Sequence, residues 1–465
     1  MTKPLNELSI REAATALRAG TFTVGELWDA CHAHAVKKNP ELNAYLEIFE
    51  RDDEAIERAQ ARITSEGANA PTLCGIPLAI KDNILIEGKV ASAASKMLGN
   101  YTATYNAGVI QKLKEAGALF VGRTNMDEFA LGGSTENSAY GVTKNPHDTA
   151  RVAGGTSGGS AAAVAAHMAL GALGTDTGGS VRNPASYCGI VGVKPTYGSV
   201  SRRGVIAAAS SFDQVGPLAK TVEDAHTILE TISGKDDMDS TSVELPKHKT
   251  QVTRVGVLRE LTDTLPAPMK QVFDEALHKL EAQGMEIVDV SIPSAGPALA
   301  AYYIINFAEV STNLARYDGI RYGRAVEGES LLEDYVQSRT NGFGAESKRR
   351  ILLGTFVLSS GYIDAYYRKA DRVRELLREE YAQAFKDVDV IATPTMPTPA
   401  FVIGEKADPL SLYLEDVFTV TANLTGFPAI SVPMGNVDGL PVGLHFIAPY
   451  GAHESLFEIG KKVHV

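Results

Sequence analysis

A lysine closing an apolar run and two glycine-rich, hydroxyl-bearing segments are the parts of this chain best suited to chemistry. Lys81 follows Gly75-Ile-Pro-Leu-Ala-Ile80 and precedes Asp82-Asn83. Downstream lie Gly154-Gly155-Thr156-Ser157-Gly158-Gly159-Ser160 and Gly174-Thr175-Asp176-Thr177-Gly178-Gly179-Ser180. Neither segment is a phosphate loop, because no Lys completes GxxxxGK[ST] and no G-x-G-x-x-G follows a predicted strand. Gly155-Thr156-Ser157-Gly158-Gly159 matches GxSxG, but a nucleophile elbow needs a hydrophobic strand before its serine. Lys144-Asn145-Pro146-His147-Asp148-Thr149 is loop composition, so His445 and His453 have no elbow to complete. Tight turns that need glycine would account for one such segment better than for two that both carry hydroxyls. What remains is a hydroxyl nucleophile served by a lysine. A serine needs a base, and a lysine becomes one when burial depresses its pKa toward neutrality. The apolar run before Lys81 can supply that desolvation. Backbone N–H groups of Thr177, Gly178 and Gly179, beside Ser180, can form an oxyanion hole that a side chain would obstruct.

The stretch from Gly154 to Gly198 resembles the glycine- and serine-rich signature of the amidase signature family. The resemblance implies a Ser–Ser–Lys triad whose bridging serine is preceded by a cis peptide bond. Ser180 in GTDTGGS then matches the nucleophile and Lys81 in IPLAIKDN the base. The bridging position, 24 residues before the nucleophile, falls on Thr156. Threonine departs from the family's serine: it keeps the hydroxyl, while its methyl restricts χ1 and crowds the site. Ser157 is the alternative bridge.

The likeness extends over nearly the whole chain. It is most specific to the A subunits of bacterial Glu-tRNA(Gln)/Asp-tRNA(Asn) amidotransferases, through NMDEFALGGSTE, GGTSGGSAAAVAA, GTDTGGSVRNPASYCGIVGVKPTYG, ARYDGIRYG, KRRILLGTFVLSSGY and ANLTGFPAISVP. It implies that glutamine is hydrolysed and the ammonia passed to a partner subunit that amidates mischarged tRNA. A free amino acid needs a cation for its carboxylate and an anion for its ammonium, because burying either one unpaired is costly. By resemblance Arg350 holds the carboxylate, with Arg349 as the alternative register, Asp416 holds the ammonium, and Tyr302 lines the pocket. Lys348 is read as a surface residue. The resemblance also implies a heterotrimer with B and C subunits and tRNA bound mainly by B. It implies no cofactor in this chain, ATP and Mg at the partner, and a cytoplasmic setting. Two rivals remain: a stand-alone amidase for another carboxamide, and a non-catalytic binding protein of the same fold, should Thr156 break the relay.

The elements that must position these residues read as α/β. Ile76–Ile80 is a predicted strand, 107–116 a helix stopped by Gly117, and 118–122 the next strand. Ser160 to about Met168 reads as a small-residue helix after a long polar stretch from Thr124. Upstream, Ser9/Glu12 and Thr23/Glu26 are spaced as capping boxes, with Gly20 and Asn39-Pro40 as stops, and a third helix covers 54–64. Residues 235–250 read as a linker, 255–258, 266–283 and 287–290 as a β-α-β unit, and 294–385 as almost entirely helical. Strands return at 388–392, 430–433 and 442–447, the last two around Asp438-Gly439. The fold expected is one amidase-signature domain over 1–465: a large mixed sheet flanked by helices, with a helical lobe in the C-terminal half. Its parts are N-terminal helices (1–70), a catalytic core (71–235) with the signature at 154–198, the lobe (250–385) and a return to the sheet (386–465).

Bulk composition narrows the field without deciding it. The 465 residues, 44% hydrophobic and 22% charged, suffice for a full core. The 43 glycines exceed the usual share of about 7%. Cys31, Cys74 and Cys188 show no metal or CxxC spacing, so they read as reduced and buried thiols. His147 and His167 are singletons, read as packing residues. A net charge of −12 argues against extensive phosphate contact, and the runs Arg202-Arg203 and Lys348-Arg349-Arg350 are too short to change that. Met1–Ile10 has no apolar run of a signal peptide, and Ala161–Leu173 is too short to span a bilayer, so no membrane role is expected.

Overall fold

The computed structural model describes residues 3–245 and 251–463. Eleven strands among them form a single mixed sheet. They are β1 (Tyr45–Ile48), β2 (Pro77–Lys81), β3 (Leu119–Thr124), β4 (Gly171–Asp176), β5 (Val191–Lys194), β6 (Gln214–Ala219), β7 (Arg254–Val257), β8 (Glu286–Asp289), β9 (Val390–Pro394), β10 (Ala429–Val437) and β11 (Leu440–Ile447). Their order is β1-β3-β2-β4-β6-β5-β10-β11-β9-β7-β8. Strands β3, β2 and β4 run parallel, as do β9, β7 and β8, and the strands between these groups pair antiparallel.

Local sequence accounts for much of this frame. Ser9 and Thr23 each close a reciprocal capping box with Glu12 and Glu26 and so start two N-terminal helices. The hairpin β10–β11 turns at Asp438 and Gly439, whose φ values of 53° and 78° suit a two-residue turn. Every residue of β2 and β4 is buried, because helices cover both faces where parallel strands meet. The two strands end side by side in register, Ile80 opposite Leu173. Lys81 and Asp176 therefore emerge at the same carboxyl edge, where open parallel sheets present their binding crevices.

Several expected boundaries move. Pro40 does not stop the second helix, which spans Val24–Leu42 and ends on Asn43 in the left-handed region. The region read as purely helical, 1–70, also holds β1, which pairs with β3. The small-residue helix runs Gly158–Ala165 rather than from Ser160 to Met168. Strands β4, β5 and β6 went unread, as did the helix His453–Val463 in the returning segment. The predicted linker has no helix or strand over 235–245, and 246–250 lie outside the described residues. Of the expected lobe at 250–385, β7 and β8 belong to the sheet, and the helices Ala295–Leu314, Leu331–Gly342, Ala345–Leu358 and Tyr367–Ala384 follow them. The first of these helices packs against the last two, and its buried face joins Phe212, Val420 and Leu424 in a hydrophobic cluster beside the sheet.

Candidate active site

At the end of β2 the Lys81 side chain is completely buried. Its Nζ lies 2.6 Å from Thr156 Oγ1, 2.9 Å from Ser157 Oγ, 2.8 Å from Thr175 Oγ1 and 3.3 Å from the Thr175 carbonyl. Burial pulls the ammonium down to about 7, although Asp127, Asp176 and Asp213 oppose the shift. The amine is thus poised between base and acid at neutral pH. The two candidate bridges differ in what else they touch. Ser157 donates to the Thr175 carbonyl at 3.2 Å and accepts the Thr175 N–H at 3.2 Å, so it ties the loop to β4. The Thr156 hydroxyl has Lys81 as its one hydrogen-bond partner among the described residues, and the Gly155–Thr156 peptide bond is cis. Thr156 is the hydroxyl free to pass a proton on.

Ser180 sits just past β4, where a tight turn brings its backbone beside the other segment: the Ser157 N–H donates to the Ser180 carbonyl at 3.1 Å. Its side-chain hydroxyl accepts and donates no hydrogen bond among the described residues, and no Thr156–Ser180 bond is formed. The turn is organised by Asp176, which accepts the N–H groups of Gly179 at 2.9 Å and Val181 at 3.2 Å. This changes the expected oxyanion set. The Gly179 N–H is engaged by Asp176, whereas the N–H groups of Thr177, Gly178 and Ser180 are unengaged by the described residues. Glycine is required twice here. A Cβ on Gly178 would collide with the Tyr302 hydroxyl, and Gly179 has φ +133° with Thr419 Oγ1 2.5 Å from where its Cβ would stand.

Asp176 is itself completely buried and bonded by Arg182 through Nε and Nη2, both at 2.9 Å. Arg182 and the Asn423 amide together hold the carboxyl well below its ordinary range, against the opposite effect of burial. Thr177 Oγ1 donates to Asp213 at 2.8 Å, which fixes the turn from its other side.

A second group of charges joins the lobe to the segment Leu414–Phe418. Arg350, on the helix Ala345–Leu358, is buried, whereas the Arg349 side chain is 40% exposed. The guanidinium of Arg350 sits 5.4–5.7 Å from the ring centres of Tyr303, Phe307 and Tyr413. Its Nε donates to Glu346 at 2.7 Å and its Nη1 to Asn306 Oδ1 at 3.0 Å. Burial works against its charge, but Glu346 and the neighbouring phenols keep it protonated more firmly than usual. Asp416, in the short helix Leu414–Phe418, accepts the Tyr303 hydroxyl at 2.6 Å, and burial pushes its carboxyl up to about 7. Tyr302 connects the groups. It abuts Gly178, and Asn306, which binds Arg350, donates to its hydroxyl at 3.5 Å.

These features combine a buried lysine, a hydroxyl bonded to it, an unengaged serine and a set of unengaged backbone N–H groups. The family model described as Amidase matches residues 26–457. The chain belongs to the amidase family. The A subunit of the glutamyl-tRNA(Gln) amidotransferase of Desulfatibacillum aliphaticivorans is 49% identical over 98% of this chain and 96% of its own length. The protein of the same name from Koribacter versatilis is 47% identical over 99% and 98%. The crystal structure of its counterpart from Thermotoga maritima is 39% identical and superposes with a TM-score of 0.81, covering 100% of this chain and 95% of its own. The native peptide amidase of Stenotrophomonas maltophilia is 27% identical with a TM-score of 0.83 over 99% and 97%. The mixed sheet and flanking helices are accordingly the amidase fold.

Within this amidase, reasoning from sequence missed the groups that hold the reactive ones. Thr175, Asp176 and Arg182 stand inside the signature, but their contacts follow from β4, which small residues disguised. Asn306 and Glu346 lie 44 and 4 residues from Arg350. The spacing of Glu346, one helical turn before Arg350, was the readable signal for that pair. His445 and His453 serve other partners, Arg182 at 2.8 Å and the Thr196 N–H at 2.8 Å. His147 binds the Cys188 carbonyl at 3.0 Å. All three cysteines are buried free thiols. No helix among the described residues is long and apolar enough to cross a membrane.

Proposed function

We propose that this chain is the glutamine-hydrolysing component, the A subunit, of a tRNA-dependent amidotransferase. The observation that carries the chemistry is the buried Lys81 amine, 2.6 Å from the Thr156 hydroxyl beside the turn that presents Ser180. Near-half identity over full length to proteins named as that component supports the substrate. In this reading neutral Lys81 takes a proton from Thr156 as Thr156 takes one from Ser180, once substrate draws the two hydroxyls together. Ser180 Oγ attacks the side-chain amide carbon of glutamine, and the N–H groups of Thr177, Gly178 and Ser180 receive the oxyanion. The relay returns the proton to the departing nitrogen, ammonia leaves, and a γ-glutamyl ester remains on Ser180. Water, activated by the same relay, releases glutamate.

Arg350 supplies the cation for the substrate α-carboxylate and Asp416 the anion for its ammonium, with Tyr302 as the wall between them and the turn. The rise of the Asp416 carboxyl supports this role, since a bound ammonium would restore its ionisation. The expected partners are the B and C subunits, with tRNA, ATP and Mg handled by the partner and the assembly in the cytoplasm. A single catalytic domain over 1–465 is supported by one continuous sheet. The test is glutaminase activity of this chain copurified with those subunits, with and without tRNA, against the Ser180→Ala variant. Wild-type release of glutamate that Ser180→Ala abolishes supports the reading; activity retained in Ser180→Ala contradicts it. Hydrolysis of other carboxamides by the isolated chain would favour a stand-alone amidase.

A further inference from the structure

Behind the Ser180 turn lies a hydrogen-bonded set that the relay does not use. A guanidinium has five donors and no acceptor. In Arg182, completely buried, every nitrogen is engaged: Nε and Nη2 on Asp176, Nη2 also on Asn423 Oδ1 at 2.8 Å, and Nη1 on the Thr419 carbonyl at 3.0 Å and His445 Nε2 at 2.8 Å. Because arginine only donates, His445 Nε2 must accept. The imidazole is therefore neutral with its proton on Nδ1, which lies 3.2 Å from Thr393 Oγ1. His445 is on β11, opposite Thr393 on β9, so the ring is anchored in the centre of the sheet rather than on a loop.

We infer that His445 is a positioning residue for the nucleophile: its neutral Nε2 fixes Arg182 and, through it, the Asp176 carboxylate that grips the N–H groups on both sides of Ser180. This rests on the reading of Ser180 as nucleophile. An apolar side chain at 445 leaves a buried arginine donor without an acceptor, a state that favours rotation of the guanidinium toward other oxygens. Its two-pronged hold on Asp176 is then lost, and the Gly179 and Val181 N–H groups lose their fixed acceptors. A cationic side chain at 445 acts in the same direction by repelling Arg182. Displacement of the reacting oxygen by about 1 Å is enough to slow a reaction by about 100-fold. Substrate binding is held elsewhere, by Arg350 and Asp416, so the effect belongs in kcat rather than KM.

The test uses the full chain in its reconstituted complex, reading glutaminase kcat and KM together with the rate at which a fluorophosphonate labels Ser180. His445→Gln offers an amide oxygen as acceptor, and labelling and kcat within about threefold of wild type are expected. His445→Leu is expected to lower both by about 100-fold, with KM for glutamine changed by less than about twofold. If His445→Leu fails to fold, Thr393→Val removes the partner of Nδ1–H while keeping the ring, and labelling about fivefold slower at unchanged KM is expected. The inference is overturned if His445→Leu reacts like wild type, if His445→Gln is as slow as His445→Leu, or, where the leucine variant does not fold, if Thr393→Val labels at the wild-type rate. Labelled wild type with an equally reactive His445→Leu removes only the positioning role. Wild type that neither labels nor hydrolyses glutamine removes the functional reading and this inference together.

Discussion

Among the described residues two lysines end strands and are buried, yet only one of the two is surrounded by the means to move a proton. Lys81 closes β2 and Lys194 closes β5, and burial draws each down to about 7. Lys194 is pushed further by the nearby Arg182 charge, and its Nζ donates to the Pro195 carbonyl at 2.7 Å. Lys81 instead meets three hydroxyls, of which Thr156 has no other partner among the described residues. Desolvation alone makes an amine neutral. A catalytic base also needs a hydroxyl that can deliver a proton to it and take one from elsewhere.

The sharpest way to break this comparison is to remove each amine in turn. Lys81→Met is expected to lower glutaminase activity by about 10⁴-fold or more, as loss of an essential triad member does. Lys194→Met should stay within about threefold of wild type, because no relay hydroxyl contacts it. Steady-state kinetics of the two purified variants in complex decide the matter, and equal losses would end the distinction. Next in size is the hydroxyl. Thr156→Val keeps the shape and deletes the proton path, and about a 10³-fold fall in kcat is expected. Thr156→Ser should match or exceed wild type, since it relieves the branched-methyl restriction on χ1. A slow Thr156→Ser beside a fast Thr156→Val would move the relay to Ser157.

Asp416→Asn tests the other charged group, which in the proposed function binds rather than reacts. The KM for glutamine is expected to rise about 30-fold with kcat changed much less, the loss of one charge-assisted contact. Smallest and broadest is the pH dependence. Lys81 is depressed from its ordinary value, so its basic form is lost as pH falls through about 7. Loss of the Lys81 base alone should therefore lower kcat/KM about tenfold per pH unit below that point, levelling off above it. Asp416 titrates in the same direction and window, because its protonation removes the ammonium partner. In Asp416→Asn only the Lys81 limb should remain. A profile that falls with rising pH near 7 in both proteins would contradict a lysine base.

The two sites were unequally visible in sequence, for physical reasons. The strand before Lys81 could be read because Ile76–Ile80 is continuously apolar, as a strand buried on both faces must be. Its parallel neighbour β4 reads GALGTD, with no β-branched run, and gains its identity from pairing with β2 and β6. The candidate nucleophile was legible because the signature is contiguous, and the candidate base because it closes that apolar run. The role of Asp176 was not, since it depends on a turn that folds two N–H groups back onto one carboxylate. On the lobe, the adjacent Arg349 and Arg350 left a one-residue register open in sequence. Successive helical residues point about 100° apart, and that rotation places Arg350 among Tyr303, Phe307 and Tyr413 while Arg349 stays half-exposed. Ser157 stayed an alternative to Thr156 in sequence because the two bonds that tie its hydroxyl to Thr175 form only when the loop packs on β4.

The most direct test of the account is interception of the acyl-enzyme. The wild-type complex, given glutamine and hydroxylamine, should form γ-glutamyl hydroxamate, and a γ-glutamyl ester should be found on the Ser180 peptide after rapid acid quench. The Ser180→Ala complex should form neither. Hydroxamate from Ser180→Ala at the wild-type rate would contradict the serine–threonine–lysine relay at its first step.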